Sequence, residues 1–160
     1  MSYEANTGLG VYTQYGTRAT GGSVGASHTK DNIKQVKIRF TGESLNSGFL
    51  PEVVIPQGAR FLRYVLRVDE AFSITGTSPT VIFGGTAPAT NGVVLSETEL
   101  ENVGTKVPSS TGAGTWSTSS STGTTAAQAV AMALGGTSPV VASTQGKAVL
   151  TAEYLDTRVS

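Results

Sequence analysis

Short runs in which apolar and polar residues alternate are the feature that most constrains how this chain folds. One such run is QVKIRF at residues 35–40, and another is KAVLTAEYLD at residues 147–156. A repeat of two residues is typical of a β-strand with one buried face, whereas an amphipathic helix repeats every 3.6 residues. The residues predicted to face a core are Val36, Ile38 and Phe40 in the first run and Ala148, Leu150, Ala152 and Tyr154 in the second.

Composition favours a β-rich fold. Charged residues make up 14% of the 160-residue chain and 20 residues are glycine, whereas an average globular domain has roughly 25% charged residues. A hydrophobic content of 38%, arranged in compact runs, argues for a folded core rather than disorder. We therefore expect an all-β protein, a single antiparallel β-sandwich over residues 33–160 with one short helix, preceded by an extended N-terminal arm over residues 1–32.

Charge and cysteine content exclude several classes of protein. Eleven basic and eleven acidic residues cancel, so no strong overall field favours nucleic acid or an anionic membrane. The chain has no cysteine, which excludes disulfides and thiolate metal sites. With no signal-like start and no apolar run of about 18 residues, we expect a protein that is neither Sec-exported nor membrane-spanning.

The first 32 residues hold six glycines and three tyrosines with little apolar periodicity. A segment of this kind either docks on a partner, which would bury its aromatic side chains, or stays disordered. The candidate partner-contact residues of the arm are Tyr3, Val11, Tyr12, Tyr15 and Arg18.

The run ARFLRYVLRVDE at residues 59–70 predicts a long strand with two unlike faces. Strict alternation places Leu62, Tyr64, Leu66 and Val68 on one face, and Phe61, Arg63, Val65, Arg67 and Asp69 on the other. The second face is either solvated, with arginine stems covering apolar surface, or an interface, where arginine and aromatic residues are enriched. Arg63 and Arg67 are therefore candidate partner-binding residues.

The tetrapeptide GTSP occurs at residues 76–79 and again at residues 136–139, each time next to β-branched residues. Glycine, serine and proline favour turns, and proline is tolerated at a strand entry. The two copies predict two similar hairpin reversals, unless the match is a coincidence in a chain rich in these residues.

Other segments predict the connections and one ambiguous strand. Ser96 and Glu99 have the spacing of a helix capping box, whereas the segment at residues 42–48 is interpreted as a polar turn. Residues 105–125 form a Ser/Thr/Gly-rich loop around the sole tryptophan, Trp116, which is either buried or a contact residue, with burial favoured. The run AAQAVAMALGG at residues 126–136 combines helix-forming alanine with alternation, and we interpret it as a strand.

No catalytic constellation is found. The only histidine, His28, lies in the arm, and there is no nucleophile elbow, phosphate loop or metalloprotease motif. Asp69 and Glu70 are adjacent, so on a strand they would face opposite ways, which does not suit paired acid and base catalysis. The acidic residues near Ser96 lack the spacing of a calcium loop. We expect no enzyme, no metal and no cofactor.

The order of segments resembles small β-sandwich virion proteins of tailed phages. It runs through VVIPQGARFLRYVLRVDEAF, TGTSPTVIFGGT, the Ser-Glu-x-Glu helix, the loop with Trp116, ALGGTSPVV and GKAVLTAEYLD. In particular, it is similar to the head decoration or cement proteins of some short-tailed phages. The resemblance implies a jelly-roll-like sandwich on the capsid exterior, a homo-oligomer (dimer or trimer) that binds the major capsid protein, and an arm that reaches neighbouring subunits.

A second function from another class remains open at this stage. Trp116, the tyrosines and the Ser/Thr-rich loops would also suit a carbohydrate platform. The alternative is therefore an adhesion module of a head fibre or tail that binds sugars of the host surface.

Overall fold

Strands account for most of the described chain. The computed structural model describes residues 33–85 and 92–157. The strands of this part are β1 (Ile33–Thr41), β2 (Phe49–Ile55), β3 (Ala59–Glu70), β4 (Ile74–Gly84), β5 (Gly92–Ser96), β6 (Gly104–Lys106), β7 (Gln128–Val141) and β8 (Lys147–Asp156). The alternative of a helix in the alanine-rich run is excluded, because that run lies largely in β7 and the strand prediction is confirmed.

The strands form two antiparallel sheets. Sheet A has the order β1-β8-β3-β6, and sheet B has the order β2-β7-β4-β5. The pairs β1–β8, β2–β7, β3–β6 and β4–β5 are those of one long antiparallel ribbon, and its rolling creates the further pairs β3–β8 and β4–β7. This is the strand order of a jelly roll, and the predicted jelly-roll-like sandwich is confirmed.

The core lies between the inner faces of the two sheets. Alternate side chains of β1 and β8 are buried, as predicted for Ile38, Phe40 and Leu150. Phe40 of sheet A meets Phe83 of sheet B with ring centroids 4.7 Å apart. Because both inner faces are aliphatic and aromatic, the sheets are held together by apolar burial.

The helix predicted near Ser96 is confirmed as α2 (Glu97–Glu101). Its capping box is closed, since Glu99 donates its backbone N–H to Ser96 Oγ at 3.3 Å and Ser96 donates its backbone N–H to Glu99 Oε2 at 3.4 Å. The same carboxylate also accepts from Ser109. The cap therefore also fixes the start of the loop that follows β6.

The expectation of only one short helix is wrong. Residues interpreted as a polar turn form α1 (Gly42–Ser47). Thr41 caps this helix, because Ser44 donates its backbone N–H to Thr41 Oγ1 and Thr41 donates its own to Ser44 Oγ at 2.7 Å. The box has serine where the usual signature has Glu or Gln, so the sequence pattern did not reveal it.

The interpretation of the two GTSP copies as hairpin reversals is also wrong. They lie inside β4 and β7 and pair with each other, with Thr77 opposite Thr137. The register slips once on each strand, so each copy forms a β-bulge facing the other. Ser78 and Ser138 have left-handed backbones, with φ of 50° and 49°. Proline has no N–H to donate to a ladder hydrogen bond, and a bulge removes the need for one. The two copies therefore form one pair of facing bulges within sheet B.

Strict alternation fails at the start of β3. Phe61 is 1% exposed and Leu62 is 39% exposed, the reverse of the prediction. The register against β8 slips between Phe61 and Arg63, and this bulge moves every earlier side chain to the other face. Beyond the bulge, Tyr64, Leu66 and the later inward residues are buried as predicted.

Candidate functional site

The outer face of sheet A carries a concentration of charge. On β1 and β8, burial of one set of alternate residues directs the other set outward, and the same holds for β3 after its bulge. The charged side chains of this face include Lys37, Arg39, Arg63, Arg67, Asp69, Lys147 and Glu153, and Arg60 and Glu70 of β3 lie opposite its outward residues Leu155 and Lys147. The sheet therefore presents more basic than acidic groups on this face.

The two arginines predicted to contact a partner lie on this face, and both are paired within the chain. Arg63 binds Glu153 with two hydrogen bonds of 2.8 and 2.9 Å. Arg67 binds Asp69 through Nε at 2.8 Å and Nη2 at 3.0 Å. The hydrogen bond from Arg63 lowers the pKa of the Glu153 carboxyl. Nothing tests their role toward a partner, which stays a prediction.

Three other cations of this face, Lys37, Arg39 and Lys147, form no ion pair with any residue in the described ranges. Arg39 on β1 and Arg67 on β3 both lie opposite Val149 of β8. Lys37 lies opposite Thr151, the next outward residue of that strand. Directly opposed side chains are about 5 Å apart, so the strand register gathers these cations around the middle of the sheet.

Two adjoining depressions run across this face. One, of about 410 Å³, is lined by Arg39, Arg67 and Lys147 together with Asp69 and residues at the start of α1. The other, of about 220 Å³, is lined by Lys37, Thr105, Thr151, Val65 and the residues shared with the first. Because they share Arg39, Arg67 and Val149, we describe them as one basic groove, defined by Lys37, Arg39, Arg67, Lys147, Thr105 and Thr151 over a floor of Val65 and Val149.

The sequence signal for this groove was incomplete. Alternation placed Lys37 and Arg39 on the wet face of a strand, yet the predicted contact residues on the sandwich were the two paired arginines. What gathers Arg39, Arg67 and Lys147 is the order β1-β8-β3. Their distance in sequence gives no indication of that order.

Five of the predicted contact residues, Tyr3, Val11, Tyr12, Tyr15 and Arg18, lie outside the described residues, and so does His28. They stay predictions.

Trp116 lies in a 3₁₀ turn (Gly114–Trp116) and is 1% exposed. It stacks on Phe61 with ring centroids 4.8 Å apart, and its carbonyl accepts a hydrogen bond of 2.5 Å from Tyr64 Oη. The prediction that it is buried is confirmed. A ring in this position has no face left for stacking on a sugar.

Among the described residues, no three or more His, Asp or Glu side chains form a group able to hold a metal ion. Burial raises the pKa of the Tyr64 phenol, which keeps it neutral as a donor to the Trp116 loop. The described helices, of six and five residues, are too short to cross a bilayer.

No family model, no curated protein and no solved structure matches this chain.

Proposed function

We propose that this protein is a virion structural protein, a capsid decoration or cement protein that binds the major capsid protein on the outside of a phage head. The observation that carries the proposal is the basic groove, where cations without ion-pair partners among the described residues gather on one sheet of a chain whose net charge is zero. The order of sequence segments, which resembles decoration proteins, points the same way. An acidic patch on a capsid subunit is a suitable counterpart.

The chemistry of the groove favours binding over catalysis. It presents ammonium and guanidinium groups, threonine hydroxyls and a valine floor. Its one carboxylate, Asp69, is held by Arg67 in a two-point ion pair and so is not placed to act as a base. A surface of fixed cations and hydroxyls suits recognition of an anionic protein surface.

Repetition by symmetry would make such a contact durable. A homo-oligomer, either a dimer or a trimer, would present two or three grooves to one capsid, and linked sites hold far more firmly than single ones. The arm over residues 1–32 would add a further contact on a neighbouring subunit. Tyr3, Val11, Tyr12, Tyr15 and Arg18 are the residues proposed for that contact.

Co-sedimentation with expanded capsids of the parent virus tests the proposal. We expect saturable binding, in a ratio fixed by icosahedral symmetry, that weakens sharply when residues 1–32 are deleted. Light scattering of the free protein would give the oligomeric number. Absence of binding by the full chain would overturn the proposal, and full binding by the truncated chain would remove the arm from it.

The alternative of a sugar-binding module has lost its main support. Its expected platform combined Trp116 with the tyrosines and the Ser/Thr-rich loops, and Trp116 is packed against Phe61 in the interior. Tyr64 and Tyr154 are buried as well.

A further inference from the structure

The charge of the groove is unbalanced although that of the chain is not. Lys37, Arg39, Arg67 and Lys147 line it together with one carboxylate, Asp69, and a second carboxylate, Glu70, lies opposite Lys147 at its edge. Four cations minus two carboxylates leave two positive charges. We infer that the basic groove binds an extended, carboxylate-bearing segment of a partner protein. The inference rests on the proposed function and names the chemistry of the partner surface.

The spacing of the cations suits an extended peptide. Lys37 and Arg39 lie two residues apart on β1 with both side chains outward, which separates their backbones by about 7 Å. Alternate side chains of an extended segment have the same repeat of about 7 Å. Two acidic residues separated by one residue would therefore meet these two cations in register.

The guanidinium groups can make strong contacts with such a segment. Arg39 has no acidic partner among the described residues and can hold a carboxylate through two parallel hydrogen bonds. Arg67 uses Nε and Nη2 on Asp69, which leaves Nη1 for a ligand. Thr105 and Thr151 add hydroxyl donors beside it.

Other details favour a protein segment over a nucleic acid. Asp69 and Glu153 interrupt the positive face, which suits a segment with acidic residues at selected positions better than a strand with a phosphate at every nucleotide. Single-stranded nucleic acids also stack on exposed aromatic rings. The aromatic side chains with a described environment, Phe40, Phe61, Tyr64, Phe72, Phe83, Trp116 and Tyr154, are all buried. The valine floor of the groove instead suits the apolar residues of a peptide.

A peptide titration tests the inference on the full chain. The probes are a short labelled peptide of alternating glutamate and threonine, its glutamine counterpart, and a single-stranded oligonucleotide of the same length. Fluorescence anisotropy should show saturable binding of the glutamate peptide, weakened by salt, with at least about tenfold weaker binding of the glutamine peptide. The oligonucleotide should bind more weakly than the glutamate peptide.

Arg39→Gln should weaken binding of the glutamate peptide about tenfold, the scale of one charge-assisted hydrogen bond. Arg39→Lys keeps the charge and loses the two-point contact, so its affinity for the glutamate peptide should lie between those of the unchanged protein and Arg39→Gln. Lys34→Gln removes one charge from an exposed residue of the same strand outside the groove and should change binding by no more than about twofold. Thermal unfolding of each variant checks that the fold is retained.

The inference is overturned if the glutamate peptide does not bind, if Lys34→Gln weakens it as much as Arg39→Gln, or if the oligonucleotide binds more tightly. Capsid co-sedimentation separates this result from the proposed function. If Arg39→Gln leaves capsid binding unchanged, the groove is not the capsid contact, and the proposed function stands. If the protein binds the glutamate peptide selectively but does not bind capsids, the inference about the groove stands, and the proposed function is wrong.

Discussion

The outer faces of the two sheets differ in charge. Sheet A presents long charged side chains, and two pairs of them are tied by ion pairs. In sheet B, strands β4, β5 and β7 contain no charged residue, and their outward residues include Ile82, Val94 and Ala133. One fold can thus carry a charged outer face on one sheet and an outer face with little charge on the other, because the outward residues of a strand contribute nothing to the core.

The sheets also differ in how they are held together internally. In sheet B, Gly76 approaches the backbone of residues 137–139, and Gly136 approaches that of residues 77–79. Close backbone contact at the paired bulges replaces side-chain packing there. Sheet A instead has a regular β1–β8 ladder and a β3–β8 ladder whose register slips near each end, and Arg63 and Glu153 pair on its surface. Substitutions should therefore act differently in the two sheets.

Trp116→Ala should have the largest effect, because Trp116 serves both sheets. Its 3₁₀ turn contacts β3 of sheet A and β5 of sheet B, and its ring is buried against Phe61. Truncation of a buried tryptophan costs about 4 kcal/mol of unfolding free energy. Chemical denaturation measures the loss, and hydrogen exchange should show weaker protection in both strands.

Trp116→Phe is the matched control. It keeps an aromatic ring on Phe61 and loses an indole N–H that has no partner among the described residues. We expect it to retain most of the stability. Loss of protection in one sheet alone for the alanine variant would contradict the view that Trp116 joins the two.

Gly136→Ala should come next and act through sheet B. Its Cβ would lie 2.6 Å from Ser78 O, and its φ of 100° disfavours any side chain. We expect a loss of about 3 kcal/mol in unfolding free energy from strain and displaced backbone, measured by chemical denaturation.

Two glycines separate the causes of that loss. A Cβ on Gly76 would lie no closer than 3.0 Å to its neighbours, and one on Gly104 would meet nothing within 4 Å. Both have positive φ, so Gly104→Ala reports backbone strain alone. The expected order of destabilisation is Gly136, Gly76, Gly104. Equal losses at all three would show that close approach at the bulges has no role.

Glu153→Gln should have the smallest effect on stability, and this effect should arise in sheet A. The hydrogen bond from Arg63 lowers the pKa of Glu153 in the folded protein below its usual value of 4.5. The stability it contributes is therefore present above the unfolded pKa and is lost as pH falls through the folded pKa. The variant should have a slightly lower Tm at neutral pH, and this difference should vanish in acid.

Exposure of the pair keeps the expected change small. Glu70→Gln is the control, since Glu70 forms no ion pair with any described residue, and it should leave Tm unchanged at both pH values. A difference for Glu153→Gln that persisted in acid would assign the effect to packing instead of the ion pair.

Local sequence signals predicted much of this fold. The alternation in β1 and β8 specified their buried faces, and the spacing of Ser96 and Glu99 specified α2 and its cap. These succeed because strand pleat and helix capping depend on residues only a few positions apart. The size of Trp116 likewise favoured its burial.

Features that depend on partners distant in sequence were missed. A bulge inverted Phe61 and Leu62, and nothing in the local pattern of β3 marks where register slips against β8. The candidate groove was missed for the same reason, because Arg39 and Arg67 become neighbours only across Val149. The sequence shows the cations, and only the strand order brings them into one groove.

The sequence by itself determined an all-β chain with a core of alternating apolar residues and no charge in three of its strands. These properties depend only on local composition and on the two-residue period of apolar side chains. Tertiary structure alone decided that the two GTSP copies face each other and that Lys37, Arg39, Arg67 and Lys147 share one groove. The physical reason is that antiparallel pairing joins residues tens of positions apart through backbone hydrogen bonds, which depend little on side-chain identity.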